Sequence, residues 1–234
     1  GHHGDAAIIL DGTRSDKGIN QHAGNCQFKL EMRGKPVAVG VSHMGINAGE
    51  LLAELIIFLK QTVMQLNQHC KAPWTIFPSP NQFVTQQLHC SSELMTVPEY
   101  ANAECYVTFT PPQKLEDIRK LLEQSSIKFA KQKGLTQLPT FSWDGIATEP
   151  IAATTTQLET IMNGCAKEIA MPPIQFGPST GISDMRHYSR HGIPCLLYGP
   201  GRGYNPHRAD EHYHLDDLPK MTHLMKKIIG CWCD

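Results

Sequence analysis

Hydrophobic positions recur along this chain with two different periods, and the change of period marks out its elements. Residues 5–10, Asp-Ala-Ala-Ile-Ile-Leu, form a short apolar run that stops at Asp11-Gly12-Thr13, the profile of a strand buried on both faces and then a turn. An acid thereby stands at a strand's carboxyl end. From Cys26 the pattern alternates, with Phe28, Leu30 and Met32 on one face and Gln27, Lys29 and Glu31 on the other. It resumes past Gly34-Lys35 at Val37-Ala38-Val39, which predicts an antiparallel hairpin with one wet face. Between Asn47 and Leu66 the spacing becomes helical, through Leu51, Leu52, Leu55, Ile56, Leu59 and Val63, with Asn47 placed to cap the first turn.

Trp74-Thr75-Ile76-Phe77, residues 82–88 and residues 104–110 read as strand pieces, punctuated by Pro78, Pro80 and Pro98. A second helix is predicted from Leu115 to Lys131, introduced by Pro111-Pro112. The order strands, helix, strands, helix, strand over residues 26–144 suits two helices on one face of an antiparallel sheet, an α+β insert. Beyond it come a helix over 155–170, the segment Gly-Pro-Ser-Thr-Gly-Ile-Ser-Asp-Met-Arg ending at Arg186, and a strand over 193–198. A Gly-Pro-Gly-Arg-Gly turn follows at 199–203, and then an amphipathic last helix on Leu218, Met221, Leu224, Met225, Ile228 and Ile229.

Composition removes some functions. The 234 residues are 41% hydrophobic, enough for an ordinary core, and the formal net charge of -1 offers no basic field for nucleic acid or an anionic membrane surface. The longest apolar runs, such as Leu51 to Leu59, fall short of the roughly 20 residues that span a bilayer. Eight scattered cysteines read as reduced thiols of a cytoplasmic protein rather than a disulfide framework. Cys231-Trp-Cys233 is either a pair of surface thiols or a weak soft-metal pair. The first ten residues show no signal-peptide pattern and no initiating methionine, which reads as a chain cut from a longer one or as tag remnants at His2 and His3.

The densest chemistry is in residues 205–217, Asn-Pro-His-Arg-Ala-Asp-Glu-His-Tyr-His-Leu-Asp-Asp, with three histidines and four acids. Ligands of open α/β sheets collect beyond the carboxyl ends of strands, and Asp11 and His207 each follow a predicted strand. An acid and an imidazole at one rim suit Zn²⁺; the alternative is that Asp11 caps its turn and His207 is a loop residue. Asp210 and Glu211 either orient a ligating imidazole through its second nitrogen or, with Asp216 and Asp217, favour the positive end of the last helix. His212 and His214 flank Tyr213 and are expected to point to opposite sides. Ser183, Asp184 and Arg186 offer a hydroxyl, a carboxylate and a guanidinium. Arg186 either holds a substrate carboxylate bidentately or pairs at the surface beside an Asp184 cap.

These motifs resemble the co-catalytic zinc peptidase and deacylase family that includes aminoacylase, acetylornithine deacetylase, succinyl-diaminopimelate desuccinylase and glutamate carboxypeptidase. The resemblance is carried by Asp-Ala-Ala-Ile-Ile-Leu-Asp-Gly-Thr, by Gly34-Lys35-Pro36 with Gly45-Ile46-Asn47-Ala48, and by Gly181-Ile-Ser-Asp-Met-Arg186. It continues through Gly192-Ile-Pro-Cys-Leu-Leu-Tyr-Gly-Pro-Gly201 and His207 to Leu218, in that order over essentially the whole chain. It implies an incomplete three-layer α/β catalytic domain, residues 1–21 and 148–234, interrupted by an α+β ferredoxin-like lid and dimerisation domain, residues 22–147. It also implies that Asp11 and His207 are ligands of different ions in a two-zinc site, with cobalt or manganese as possible substitutes. The implied reaction is hydrolysis of the amide bond of an N-acyl amino acid or small peptide by a metal-activated water and a glutamate base, in a homodimer built through the lid.

The departures are specific. The family's first metal histidine, its bridging aspartate and its Glu-Glu pair lie upstream of the acidic ligand, where this chain has ten residues. No catalytic base is therefore assigned here, and the chain alone is expected to be inactive. Ala38 stands where the family often has a histidine that reaches into the partner's site, and His43 is five residues on. Met95 replaces the asparagine of an Asn-x-[Val/Ile]-Pro pattern, and the arginine that follows it falls near Thr108 or Phe109. A non-catalytic dimerisation or binding module derived from the family is the alternative reading. A third is a soluble metal-binding protein that uses the 205–217 loop alone.

Overall fold

The computed structural model describes residues 4–153, 155–199 and 207–233. Its strands are β1 (Ala7–Ile9), β2 (Lys17–His22), β3 (Gly24–Arg33), β4 (Gln82–Ser91), β5 (Tyr100–Phe109), β6 (Thr140–Ser142), β7 (Ala147–Thr148), β8 (Ile151–Ala152), β9 (Gln175–Ser179) and β10 (Cys195–Leu197). The α-helices are α1 (Ala48–Gln65), α2 (Leu115–Gln132), α3 (Thr156–Glu168), α4 (Met185–Ser189) and α5 (Asp217–Cys233). The chain divides into two compact units, residues 1–22 with 151–234, and residues 23–150. Among the described residues no helix is long and apolar enough to cross a membrane.

In the unit 23–150 the sheet order is β4-β5-β3-β6, all antiparallel, with β7 also against β3. The alternation in β3 does what its period predicts: Cys26, Phe28, Leu30 and Met32 are buried and the residues between them are not. That buried face meets Leu52, Leu55, Leu59 and Val63 of α1 and Ile118, Leu122 and Phe129 of α2 in one core. Phe28 is its aromatic centre, 5.0 Å from the Trp143 ring and 6.0 Å, edge-on, from Phe83. Asn47 caps α1, its Oδ1 accepting from the backbone N–H groups of Gly49 (3.0 Å) and Glu50 (3.3 Å). The start of α2 is held by two carboxylates, Asp117 on the Lys114 N–H and Glu149 on the Leu115 N–H.

Two expectations fail here. Val37-Ala38-Val39 is not the second arm of a hairpin: β3 takes its long partner from β5, and residues 39–44 coil into a 3-10 helix. The chain leaves β3 at Gly34, where a side chain would collide with the Ile46 carbonyl, and touches back through Lys35 to Ile46 and Ala38 to Thr96. Trp74-Thr75-Ile76 is a 3-10 turn rather than a strand, with Trp74 buried and Ile76 exposed. Its apolar residues have no sheet partner and anchor a loop.

The other unit is a mixed sheet in the order β1-β10-β2-β8, with β9 parallel to β2. Its pivotal pairing is parallel, Ala7 with Cys195, Ile8 with Leu196 and Ile9 with Leu197. Side chains of β10 then alternate between two apolar clusters. Leu196 and Tyr198 face Leu158, Met162, Met221, Leu224 and Ile228 of α3 and α5, while Cys195 and Leu197 face Met185 of α4 with Ile9 and Ile19. The expected burial of β1 on both faces is not observed. It is an edge strand with half-buried side chains, and Leu10 beyond it is 63% exposed.

Tyr198 is fully buried and donates to the Ser15 carbonyl at 2.7 Å. Burial, reinforced by the Asp16 carboxylate, pushes its phenol up to about 12. The folded-state value lies above the ordinary 10.0, so this group's contribution is complete below about pH 10 and is lost as pH rises through about 12. Unfolding followed across that alkaline range should show falling stability, and Tyr198→Phe should flatten the fall while costing about 1 kcal/mol at neutral pH; an unchanged alkaline slope contradicts the assignment. Asn47→Ala should cost about 1 kcal/mol by chemical denaturation, and a neutral result would show that the cap is redundant.

Candidate metal centre

Because β1 and β10 run parallel in register, their carboxyl ends open on the same rim. Asp11 lies two residues past β1, and three contacts fix its turn against the end of β10. Tyr198 donates its backbone N–H to the Ile9 carbonyl at 3.0 Å, the Gly199 N–H donates to Thr13 Oγ1 at 3.1 Å, and the Tyr198 hydroxyl reaches Ser15. Gly199 is tight against the Asp11 backbone, where any side chain would overlap the Asp11 carbonyl. The Asp11 carboxylate is exposed, and its Oδ1 accepts from the Gly12 N–H at 2.6 Å. Turn capping thus occupies one of its two oxygens.

The rest of the Gly-Pro-Gly-Arg-Gly turn and Asn205-Pro206 lie outside the described residues. His207 is exposed and has a positive φ of 62°, and its backbone N–H donates to Glu211 Oε2 at 3.0 Å. Glu211 therefore restrains His207 through the main chain. The Asp210 carbonyl accepts from His212 Nδ1 at 2.8 Å. His212 and His214 do not diverge as their alternation about Tyr213 predicts, because residues 211–214 are irregular, with a single β-bridge at His212, rather than a strand; their rings meet edge to face with centroids 6.1 Å apart. Asp217 opens α5, with its backbone N–H on the His214 carbonyl, and Asp216 precedes it.

Tyr213 is the residue that sequence reasoning passed over. Its hydroxyl lies against Gly12, where a side chain would collide with it. Burial raises its phenol pKa, and the charges of Asp11 and Glu211 add to the shift. The 207–217 loop therefore folds back onto the Asp11 turn, and both acids act on one phenol. Nothing in local spacing signals this contact, since its partners are two hundred residues apart in the chain.

Ser183, Asp184 and Arg186 come together around the start of α4. Ser183 is buried and its Oγ accepts from the Met185 N–H at 3.4 Å, so the serine rather than Asp184 supplies the side-chain cap. Arg186 Nη1 donates to the Ser183 carbonyl at 3.3 Å and Nη2 stands 3.4 Å from Asp184 Oδ1. In the other unit, Ala38 is exposed and bridges Thr96, while the Val39 N–H donates to the Met95 carbonyl at 2.9 Å. Two positions that depart from the family pattern, Ala38 and Met95, are thus spatial neighbours. Thr108 is buried with its hydroxyl toward the Pro80 carbonyl, and Phe109 is in the core.

A carboxylate and an imidazole are donors of the right kind for zinc, so Asp11 and His207 fit part of a coordination sphere. Among the described residues no group of three or more histidine, cysteine, aspartate or glutamate side chains is arranged to hold an ion.

Known structures share this fold. A tripeptidase from Staphylococcus aureus superposes over 97% of this chain and 57% of its own, with a TM-score of 0.77 at 15% identity. The aminopeptidase PepT from Bacillus cereus covers 96% of this chain and 56% of its own, with a TM-score of 0.69 at 18% identity. An amidase of the hydantoinase/carbamoylase family from Burkholderia phymatum covers 96% and 54%, with a TM-score of 0.69 at 15% identity. In sequence, 42 residues are 38% identical to N-formyl-4-amino-5-aminomethyl-2-methylpyrimidine deformylase of Bacillus subtilis, a stretch that is 18% of this chain and 10% of that protein. The chain spans about half the length of these structural relatives. The sequence pattern of peptidase family M20/M25/M40 matches residues 2–230, and the chain belongs to that family.

Proposed function

We propose that this chain is part of a zinc-dependent amidohydrolase that cleaves the amide bond of N-acyl amino acids or small peptides, with Asp11 and His207 as ligands of a two-ion site. The observation that carries the reading is the parallel pairing of β1 with β10, which opens the carboxyl ends of both strands on one rim while Tyr213 docks its loop onto Gly12. Family membership and relatives described as a tripeptidase, an aminopeptidase and an amidase support a hydrolase of peptides or amides. Bound zinc, or cobalt or manganese in its place, supplies Lewis-acid polarisation of the amide carbonyl and a water of lowered pKa.

The chain's own residues hold and orient. Glu211 fixes the His207 backbone, Asp210 lies beside it, and Arg186, set by Ser183 and Asp184, presents a guanidinium to a substrate carboxylate. The general base and the remaining ligands belong to the part of the relatives' length that this chain does not span. In this reading residues 22–147 form a ferredoxin-like lid and the protein works as a cytoplasmic homodimer. The strand β4 offers an edge for that contact, ten residues long, exposed along most of its length, and paired in the sheet with β5.

Zinc titration of the chain tests the ligands. Asp11→Ala and His207→Ala should each weaken binding, and Glu211→Ala should weaken it as well, through loss of the acceptor that holds the His207 backbone N–H. Metal affinity unchanged in both ligand variants overturns the assignment. In a longer protein carrying this chain, stoichiometric zinc without turnover of N-acetyl amino acids or dipeptides would favour a binding module instead. Sedimentation should give a dimer that Leu88→Lys, on the β4 edge, shifts toward monomer; a native monomer at micromolar concentration contradicts the lid interface.

A further inference from the structure

Of the eight cysteines, two face each other across helices. Cys165 on α3 and Cys231 on α5 have their sulfur atoms 3.5 Å apart, with the Cys165 thiol donating to Cys231 Sγ. Both are free thiols; Cys165 is buried, at 2% exposed, and Cys231 is exposed. We propose that this pair is a thiol modification site, at which a small disulfide of the glutathione class reacts with Cys231 and Cys165 resolves the adduct into an intrachain disulfide joining α3 to α5.

The exchange balances in two steps. The Cys231 thiolate attacks one sulfur of oxidised glutathione, the glutathione S–S bond breaks, and one reduced glutathione leaves with a mixed disulfide on Cys231. The Cys165 thiolate then attacks Cys231 Sγ, the mixed disulfide breaks, and a second reduced glutathione leaves. Two protein thiols are oxidised, one glutathione disulfide is reduced to two thiols, and the two thiol protons end on the glutathiones.

Geometry sets the division of labour. Of the two, only Cys231 is open to a charged tripeptide, and it lies in the last turn of α5, where a helix end yields most readily. Closing from 3.5 Å to a bond of about 2.05 Å is a movement that such a turn accommodates. The two helices are already held in register one turn away, where Lys227 Nζ on α5 meets Glu168 Oε2 on α3 at 2.7 Å. Burial, then the neighbouring Cys231 sulfur and Glu168, hold the Cys165 thiol up at about 11, while Lys227 pulls it down. Cys233 is two residues on, about 200° around the helix from Cys231, and lines a cavity with Leu158 and Trp232.

The test is oxidised glutathione added to the whole chain, followed by non-reducing peptide mapping. A Cys165–Cys231 linkage about 2 Da lighter than the two thiols is expected, reversed by dithiothreitol and unaffected by Cys233→Ser. In Cys165→Ser the glutathione adduct should persist on Cys231, as it should on the exposed Cys90 of the native chain, which reports that the reagent has reached accessible thiols. A stable adduct on Cys231 of the native chain, a Cys231–Cys233 linkage, or a Cys231 disulfide between two copies overturns the proposal. Because the mapping is read on the native chain, it does not depend on any variant folding.

Discussion

A single parallel pairing between β1 and β10, on either side of the insert, organises the discontinuous unit. Ala7 to Ile9 lie beside Cys195 to Leu197, and the backbone bonds from Ala7 to the Pro194 carbonyl and from Tyr198 to the Ile9 carbonyl extend the ladder by one rung at each end. From this contact follow the two apolar clusters on opposite faces of β10, the shared rim, and the fixed turn that presents Asp11. Antiparallel strands could not have brought both carboxyl ends to one side. The shared rim is therefore a consequence of strand direction before it is a consequence of any side chain.

Asp11 and His207 are positioned from the main chain rather than by burial. Asp11 and His207 are both exposed, yet each is held locally, one by the Gly12 N–H on its carboxylate and the other by Glu211 on its backbone. Glycine matters at the two closest approaches, Gly12 under Tyr213 and Gly199 against Asp11. This lets polar groups stay hydrated and available while the frame beneath them is fixed by packing around Tyr198.

Residues whose fate depends on local period were readable in the sequence. The helices at Ala48–Gln65, Leu115–Gln132 and Asp217–Cys233, the Asn47 cap and the buried face of β3 all follow from spacing alone, because an amphipathic element repeats its signal over many residues. The short strands were harder. Trp74-Thr75-Ile76 has strand-like composition but no partner, and Val37 to Val39 looked like a hairpin arm until β5 proved to be the longer neighbour of β3. Spacing singled out Asp11 and His207 as candidates, but Tyr213 over Gly12 and the meeting of His212 with His214 depend on tertiary contacts that no periodicity encodes.

The discontinuity of the first unit sets an order of events during synthesis. Residues 23–150 form their sheet and both of their helices from one continuous stretch, and can condense as soon as that stretch is made. The strand β1 precedes the insert in the chain and its partner β10 follows it, so its apolar side chains wait until the whole insert has been made. Once formed, the neighbouring pairing of His22 with Ile151 brings the two ends of the inserted unit side by side. A ribosome-bound chain stopped before residue 195 should thus carry a finished insert on an unfinished base.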